Sequence, residues 1–266
     1  MIPRKLLVLL VVAPVGMAAC APFVDATRLS RPTPTPEHAA PSATPIVWFP
    51  PTETATIAPA TSVRPTAERR PGVGELLVED AMTSATHWNA ASSGTASVTV
   101  SERGLSISAQ PGGPPVISLH RSAVFDDMYM EITARPNLCR DTDSYGLVFR
   151  APNDVANYRF MAGCDGTAAA ERVSLGTPRV LQPPTATSDV PFGAPGEVRL
   201  GVWARGSEFR FFLNDHYQFT VTDKNYAAGR IGVFAAAMGN SPVVVTFTDL
   251  RVYRLQPMEF STTPDP

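Results

Sequence analysis

The chain has 266 residues, with 24 Asp plus Glu against 22 Lys plus Arg and a net charge of −2. That balance removes the electrostatic argument for a nucleic-acid partner. Charged residues make up 17% of the chain, against 27 prolines and 3 cysteines, a composition that fits an exported protein better than a cytosolic enzyme.

Arg4 and Lys5 precede an apolar run over residues 6–15. Such a run is too short to span a bilayer and suits the apolar region of an export signal. Met17-Ala18-Ala19-Cys20 follows. Small residues leading into a cysteine resemble the lipobox of bacterial lipoproteins, with Met17 where leucine is usual. The resemblance implies that residues 1–20 are a lipoprotein signal and that Cys20 becomes the lipidated first residue of the mature chain. The expected address is therefore the cell envelope, with the membrane as a partner through the acyl chains on Cys20. Each buried CH₂ of such a chain contributes about 0.8 kcal/mol.

Residues 21–72 are rich in Pro and Thr, as in Arg31-Pro32-Thr33-Pro34-Thr35-Pro36. Proline fixes φ and removes amide donors, so this stretch reads as a disordered tether of extended, polyproline II character. From residue 73 to 256 the texture changes to short runs that alternate apolar and polar residues, the signal of half-buried strands. Expected strands fall at 97–100, 105–108, 116–120, 128–134, 145–150, 157–162, 197–204, 209–213, 217–221, 230–235 and 243–255, with turn residues between them. No ten-residue stretch carries a helical apolar stripe. The expectation is an all-β, two-sheet antiparallel β-sandwich. The proline-rich stretch 176–195 lacks alternation and reads as a long loop; residues 257–266 read as a disordered tail.

Cys139 precedes the 145–150 strand and Cys164 follows the 157–162 strand. These two strands form a hairpin through Pro152-Asn153-Asp154. The outer ends of an antiparallel hairpin lie together, so the two sulfurs are expected to bond. With so few cysteines and four dispersed histidines, no metal site is expected from them. Asp141-Thr142-Asp143 reads as a polar loop or as part of a calcium site.

The order Tyr129-Met130-Glu131-Ile132, Tyr145-Gly146-Leu147-Val148-Phe149-Arg150 and Asn157-Tyr158-Arg159-Phe160 resembles concanavalin A-like, laminin-G-like jelly rolls. In particular it is similar to 3-keto-disaccharide hydrolase-type domains. Phe211-Phe212-Leu213-Asn214-Asp215, then Gly229-Arg230-Ile231-Gly232-Val233, then Val245-Thr246-Phe247-Thr248-Asp249 continue the resemblance through residues 77–255. It implies a jelly-roll fold and leaves function open.

Alternation assigns Met128, Met130, Ile132, Tyr145, Leu147, Phe149, Tyr158, Phe160, Val198, Leu200, Val202, Phe209 and Phe211 to the core. It sends Tyr129, Glu131, Arg150, Arg159, Arg199, Trp203 and Arg210 to the outer faces. A concave sheet holding these strands would be a groove with aromatic platforms and charged hydrogen bonders, the chemistry that sugars need. The candidate ligand-binding residues are therefore Tyr129, Glu131, Arg150, Arg159, Trp203 and Arg210. Taken singly, an arginine on a strand face is usually a solvated charge, and Trp203 is either a platform or covered by the 176–195 loop. Catalytic signatures are thin. Glycosidase chemistry needs two placed carboxylates, and the 128–134 strand offers only Glu131. No Gly-x-Ser-x-Gly or His-Glu-x-x-His occurs, and nothing implies a cofactor. The expectation is a non-catalytic module that binds extracellular glycan or a surface protein. A saccharide hydrolase or lyase using Glu131, and a structural envelope module, are the alternatives.

Overall fold

The structure is a computed structural model that describes residues 68–257. The expected export signal, Cys20, most of the expected tether and most of the expected tail lie outside the described residues.

Among the described residues, fifteen strands form two antiparallel sheets. They are β1 (Val73–Asp80), β2 (Ala91–Ser92), β3 (Ala96–Ser101), β4 (Gly104–Ala109) and β5 (Val116–Phe125). Next come β6 (Met128–Leu138), β7 (Ser144–Asn153), β8 (Ala156–Gly163), β9 (Thr167–Ser174) and β10 (Thr177–Ala186). The chain ends with β11 (Val198–Arg205), β12 (Glu208–Leu213), β13 (His216–Thr222), β14 (Gly229–Ala236) and β15 (Val243–Leu255). The nine-stranded sheet runs β13-β12-β11-β6-β15-β4-β3-β2, with β1 paired to β15. The six-stranded sheet runs β10-β9-β8-β7-β14-β5. This is the expected all-β sandwich.

The core assignment holds strand by strand. Met128, Met130 and Ile132 on β6 are fully buried against Tyr145, Leu147 and Phe149 on β7, Tyr158 and Phe160 on β8, and Phe209 and Phe211 on β12. Phe149 stacks on Tyr158 with ring centroids 5.3 Å apart, and Phe209 meets Tyr158 at 4.8 Å. Such aromatic pairs add about 0.5–1.5 kcal/mol each beyond the area they bury.

The 176–195 stretch is not a long loop, because β10 occupies its first half. β10 pairs with β9 at the sheet edge, with register shifts between Val180 and Gln182 and between Gln182 and Thr185. Prolines at 178, 183 and 184 are tolerated there because an edge strand leaves one row of amides without a ladder partner, and bulges absorb the rest. β9 is also a strand against its local text. Thr167-Ala168-Ala169-Ala170-Glu171 has good helix formers, but pairing with β8 sends Ala168 and Ala170 into the core. Tertiary burial overrides propensity.

Cys139 and Cys164 are disulfide-bonded, 25 residues apart in sequence, with Cα atoms 5.5 Å apart. The bond closes the open end of the β7–β8 hairpin. Beside it, the fully buried Asp143 accepts from the amides of Met238 (2.8 Å) and Gly239 (3.0 Å) through Oδ1. Its Oδ2 takes the Arg140 amide at 3.4 Å. The carboxylate is thus committed to backbone donors, which explains this acid as a loop latch.

Candidate functional site

The expected site residues do not share one face. β6, β11 and β12 belong to the nine-stranded sheet, while β7 and β8 belong to the six-stranded sheet. Tyr129, Glu131, Trp203 and Arg210 therefore lie on the opposite outer face of the sandwich from Arg159. A single groove containing all of them is ruled out by strand order, which a period-two pattern does not encode.

On the nine-stranded sheet, register aligns Arg210, Trp203, Tyr129 and Tyr253 in one cross-strand row. The row is not open. Trp203 is only 1% exposed, and what covers it is the segment before β1, not the 176–195 stretch. Its indole Nε1–H donates to the Pro71 carbonyl at 3.0 Å. The Arg210 and Arg205 guanidinium carbons sit 4.5 and 5.4 Å from its ring. Arg210 also donates to the Arg69 carbonyl (3.0 Å) and to Glu208 (2.7 Å). Arg70 is held between the Tyr129 and Phe212 rings, at 5.4 and 5.3 Å, and donates to the Tyr129 hydroxyl at 3.1 Å and to Asp215 at 3.0 Å. Arg199 pairs with the same Asp215. The folded unit thus includes residues 68–72, and Trp203 and Tyr129 are buried beneath them. Trp203 is no open platform.

Glu131 is 9% exposed. It accepts from the Tyr129 hydroxyl at 3.0 Å and the Tyr253 hydroxyl at 3.5 Å, with Arg251 at 4.0 Å. Burial, reinforced by the Glu131 charge and opposed by Arg70, raises the Tyr129 pKa well above the usual phenol value. Both tyrosines stay protonated donors, and Glu131 is spent within its own sheet.

Arg150 breaks the alternation. It lies at a register shift in the β7–β8 hairpin with φ of 45°, so its side chain leaves the outward row. At 1% exposure it spans the end of the sandwich. It donates to the carbonyls of Asp126 (3.0 Å), Gly206 (2.5 Å) and Tyr226 (3.3 Å) and to Asp127 (3.2 Å), with its guanidinium 5.0 Å from the Phe209 ring. It ties three turns together and faces no groove.

Arg159 is different. On the outer face of the six-stranded sheet, β7, β8, β9 and β14 build a cavity of about 270 Å³. Ile117, Phe234, Gly146, Met161 and Ala169 share one cross-strand row, and Leu119, Gly232, Val148, Arg159 and Glu171 the next. Most of the cavity lining is apolar, including Met161, Ala169, Phe234 and Ala236. Two polar ends flank it. At one, Arg159 is 7% exposed and donates through Nε to Asn157 (3.1 Å) and through Nη1 to Glu171 Oε1 (2.9 Å), with its guanidinium 5.3 Å from the Phe234 ring. Among the described residues, Arg159 Nη2 and Glu171 Oε2 take no partner. Burial lowers the Arg159 pKa and Glu171 opposes the shift. Arginine remains charged throughout the physiological range. At the other end Thr142, Ser144, Thr167 and Asp165 line the wall, and Thr167 donates to Asp165 at 2.6 Å. Gly163 makes this close grouping possible, since a Cβ there would meet Asp165 Oδ1 at 2.4 Å and Thr167 Oγ1 at 2.5 Å. The cavity floor from β9 and β14 was not legible in the sequence.

A third cluster, Asp80, His87 and His120, gathers its ligand-type atoms within 4.8 Å. Its hydrogen bonds speak against a metal. His120 Nδ1 accepts the Ala123 amide at 3.0 Å, which puts the neutral ring's proton on Nε2, facing Asp80 Oδ2 at 3.9 Å. Asp80 also accepts from Trp88 Nε1 (3.0 Å) and the Met82 amide (2.6 Å). A ligating Nε2 would need its lone pair free. The cluster is a hydrogen-bond knot that seats Trp88.

No protein-family model matches the chain, and no curated protein matches it. Solved structures do. A carbohydrate-binding module, CBM66, from Bacillus subtilis superposes with a TM-score of 0.52 at 14% identity, covering 63% of this chain and 96% of that one. A Bacillus subtilis protein of unknown function with a galectin-like fold gives 0.50 at 11% identity, covering 70% and 99%. The Crh5 transglycosylase in complex with NAG gives 0.50 at 11%, covering 71% and 88%. At these identities the likeness establishes the jelly-roll, galectin-like fold.

Proposed function

We propose that the chain is an envelope-anchored module, lipidated at Cys20, whose β-sandwich binds a saccharide without acting on it, in the cavity on the six-stranded sheet. One observation carries this reading. An ion pair of buried Arg159 with partly buried Glu171 stands at one polar end of an open cavity with an apolar middle, with one donor and one acceptor edge unclaimed among the described residues. An adjacent donor and acceptor match a sugar's hydroxyls, each of which both gives and takes a hydrogen bond. The apolar floor suits the C–H face of a ring. Similarity to a carbohydrate-binding module is one of fold and supports a saccharide as the class of ligand.

The carboxylates argue against hydrolysis. Asp165 is bonded to Thr167, and Thr167 lies four residues from Glu171 on β9. At about 3.3 Å per residue the backbones that carry the two groups stand roughly 13 Å apart, wider than the paired carboxylates of retaining or inverting glycosidases. Glu131 faces the other side of the sandwich and is enclosed. The test is a glycan array on the full chain, followed by calorimetry of Arg159→Lys with any bound saccharide. Lysine keeps the charge opposite Glu171 and loses the planar fork. Affinity should fall about tenfold or more, the size expected for one charged hydrogen bond. Unchanged affinity would overturn the assignment of the cavity.

A further inference from the structure

We propose that the cavity selects an uncharged sugar residue bearing a methyl-containing substituent, such as an acetamido, O-acetyl or deoxy-methyl group. The inference rests on the cavity being a saccharide site and goes on to name what kind of saccharide.

Three features of the lining converge on it. Hydrogen-bonding side chains stand at the two ends, Arg159 with Glu171 at one and Thr142, Ser144, Asp165 and Thr167 at the other. Between them the floor is carbon, from Met161, Ala169, Phe234 and Ala236. A ring hydroxylated at every position would press hydroxyls onto that floor, where each loses water and gains no partner. A methyl in the same place is favourable.

The floor is also shaped for a small group. Ala169 and Ala236 are buried at 4% and 5% exposure on the outward-facing side of β9 and β14. Gly163 sits beside them with no side chain at all. Larger residues at these positions would fill the space that a methyl needs. Met238, 67% exposed at the mouth, adds a flexible apolar wall, and methionine adapts readily to an irregular apolar shape.

Charge supplies the third constraint. The cavity holds two carboxylates, Glu171 and Asp165, and one cation, Arg159, already paired to Glu171. An anionic sugar would bring a further negative charge to a partly desolvated place with no free cation among the lining residues. Uronates and sulfated sugars are therefore rejected by the same groups that orient a neutral one.

The experiment uses the full chain on an array printed in matched pairs, native and O-deacylated, and acetamido glycans beside their 2-hydroxy counterparts, with uronate-containing and deoxysugar glycans included. Titration of N,N′,N″-triacetylchitotriose against cellotriose gives a solution comparison in which a hydroxyl replaces each acetamido group. Acylated or deoxy members should bind at least about fivefold tighter than their hydroxylated partners, one buried methyl accounting for most of that factor. Uronates should bind weakest. Ala169→Leu should remove the preference by filling the floor. Ala169→Ser, which changes polarity with little change of size, should shift it toward the hydroxylated partner. Equal binding of the paired members, or preferential binding of uronates, would overturn the inference and leave a saccharide site standing. Absence of binding to every saccharide would overturn the saccharide reading itself.

Discussion

Replacing Trp203 with alanine is expected to destabilise the domain heavily, although this residue lies outside the main core between the sheets. Its ring is 1% exposed, packed with Tyr129, Phe212 and Leu255 in a separate cluster under residues 68–72. A buried tryptophan removes about 150–250 Å² from water, worth roughly 4–6 kcal/mol at 25 cal/mol per Å² as an upper bound. Measured truncations of large aromatic residues cost about 3–5 kcal/mol, cavity included. The Trp203 indole bond to Pro71 and the stacked Arg210 fall within that total rather than adding to it. A loss of about 3–5 kcal/mol is therefore expected in urea denaturation of the protein. Residues 68–72 should also loosen, since Pro71 loses its anchor, so trypsin should cleave after Arg69 faster in the variant under native conditions. A loss below about 1 kcal/mol with unchanged cleavage would mean that Trp203 is exposed and that the segment does not cover it.

Other perturbations read other parts of the molecule. Replacing Cys139 and Cys164 together opens a 25-residue loop and should cost about 3.5 kcal/mol by the loop-entropy relation; denaturation of the double variant checks it, and two alkylatable thiols in the unreduced wild type would refute the bond. Burial lowers the His120 pKa, the Asp80 charge opposing and the His87 charge assisting. The unfolded chain then binds the extra proton first, so the His120 share of stability is complete above the ordinary imidazole pKa near 6.5 and falls as pH drops below it. Thermal unfolding between pH 7.5 and 5 should show a shallower fall in His120→Asn than in the wild type, and superimposable curves would count against it. Cys20→Ser should move the protein from the detergent-extracted membrane fraction to the soluble one, and unchanged retention would end the lipoprotein reading.

Much of the fold was legible because alternation is a local signal. The core members of β6, β7, β8, β11 and β12 were assigned from period two alone, and the Cys139–Cys164 pairing from hairpin geometry. β9 and β10 were not, since an alanine-rich run and a proline-rich run become strands only through the partner beside them. Facing was legible, but exposure was not. Trp203, Tyr129 and Glu131 do point away from the core, yet residues 68–72 lie over them, and no periodicity in β6 or β11 announces a cover drawn from the end of a proline-rich tether. Arg150 failed for a different reason, since a single positive φ at the hairpin bulge turned it off its row. Of the six candidate binding residues only Arg159 lines the cavity. Its neighbours Ala169, Phe234 and Ala236 carry no chemical flag in the sequence and gain meaning only when four strands, β9, β8, β7 and β14, align.

Calorimetric titration of one bound saccharide against Arg159→Lys and Glu131→Gln in parallel decides which face of the sandwich binds, because the two residues lie on opposite outer faces. A site on the six-stranded sheet requires about a tenfold or greater loss for Arg159→Lys and no change for Glu131→Gln. A loss confined to Glu131→Gln would contradict it and move the site to the face that residues 68–72 cover.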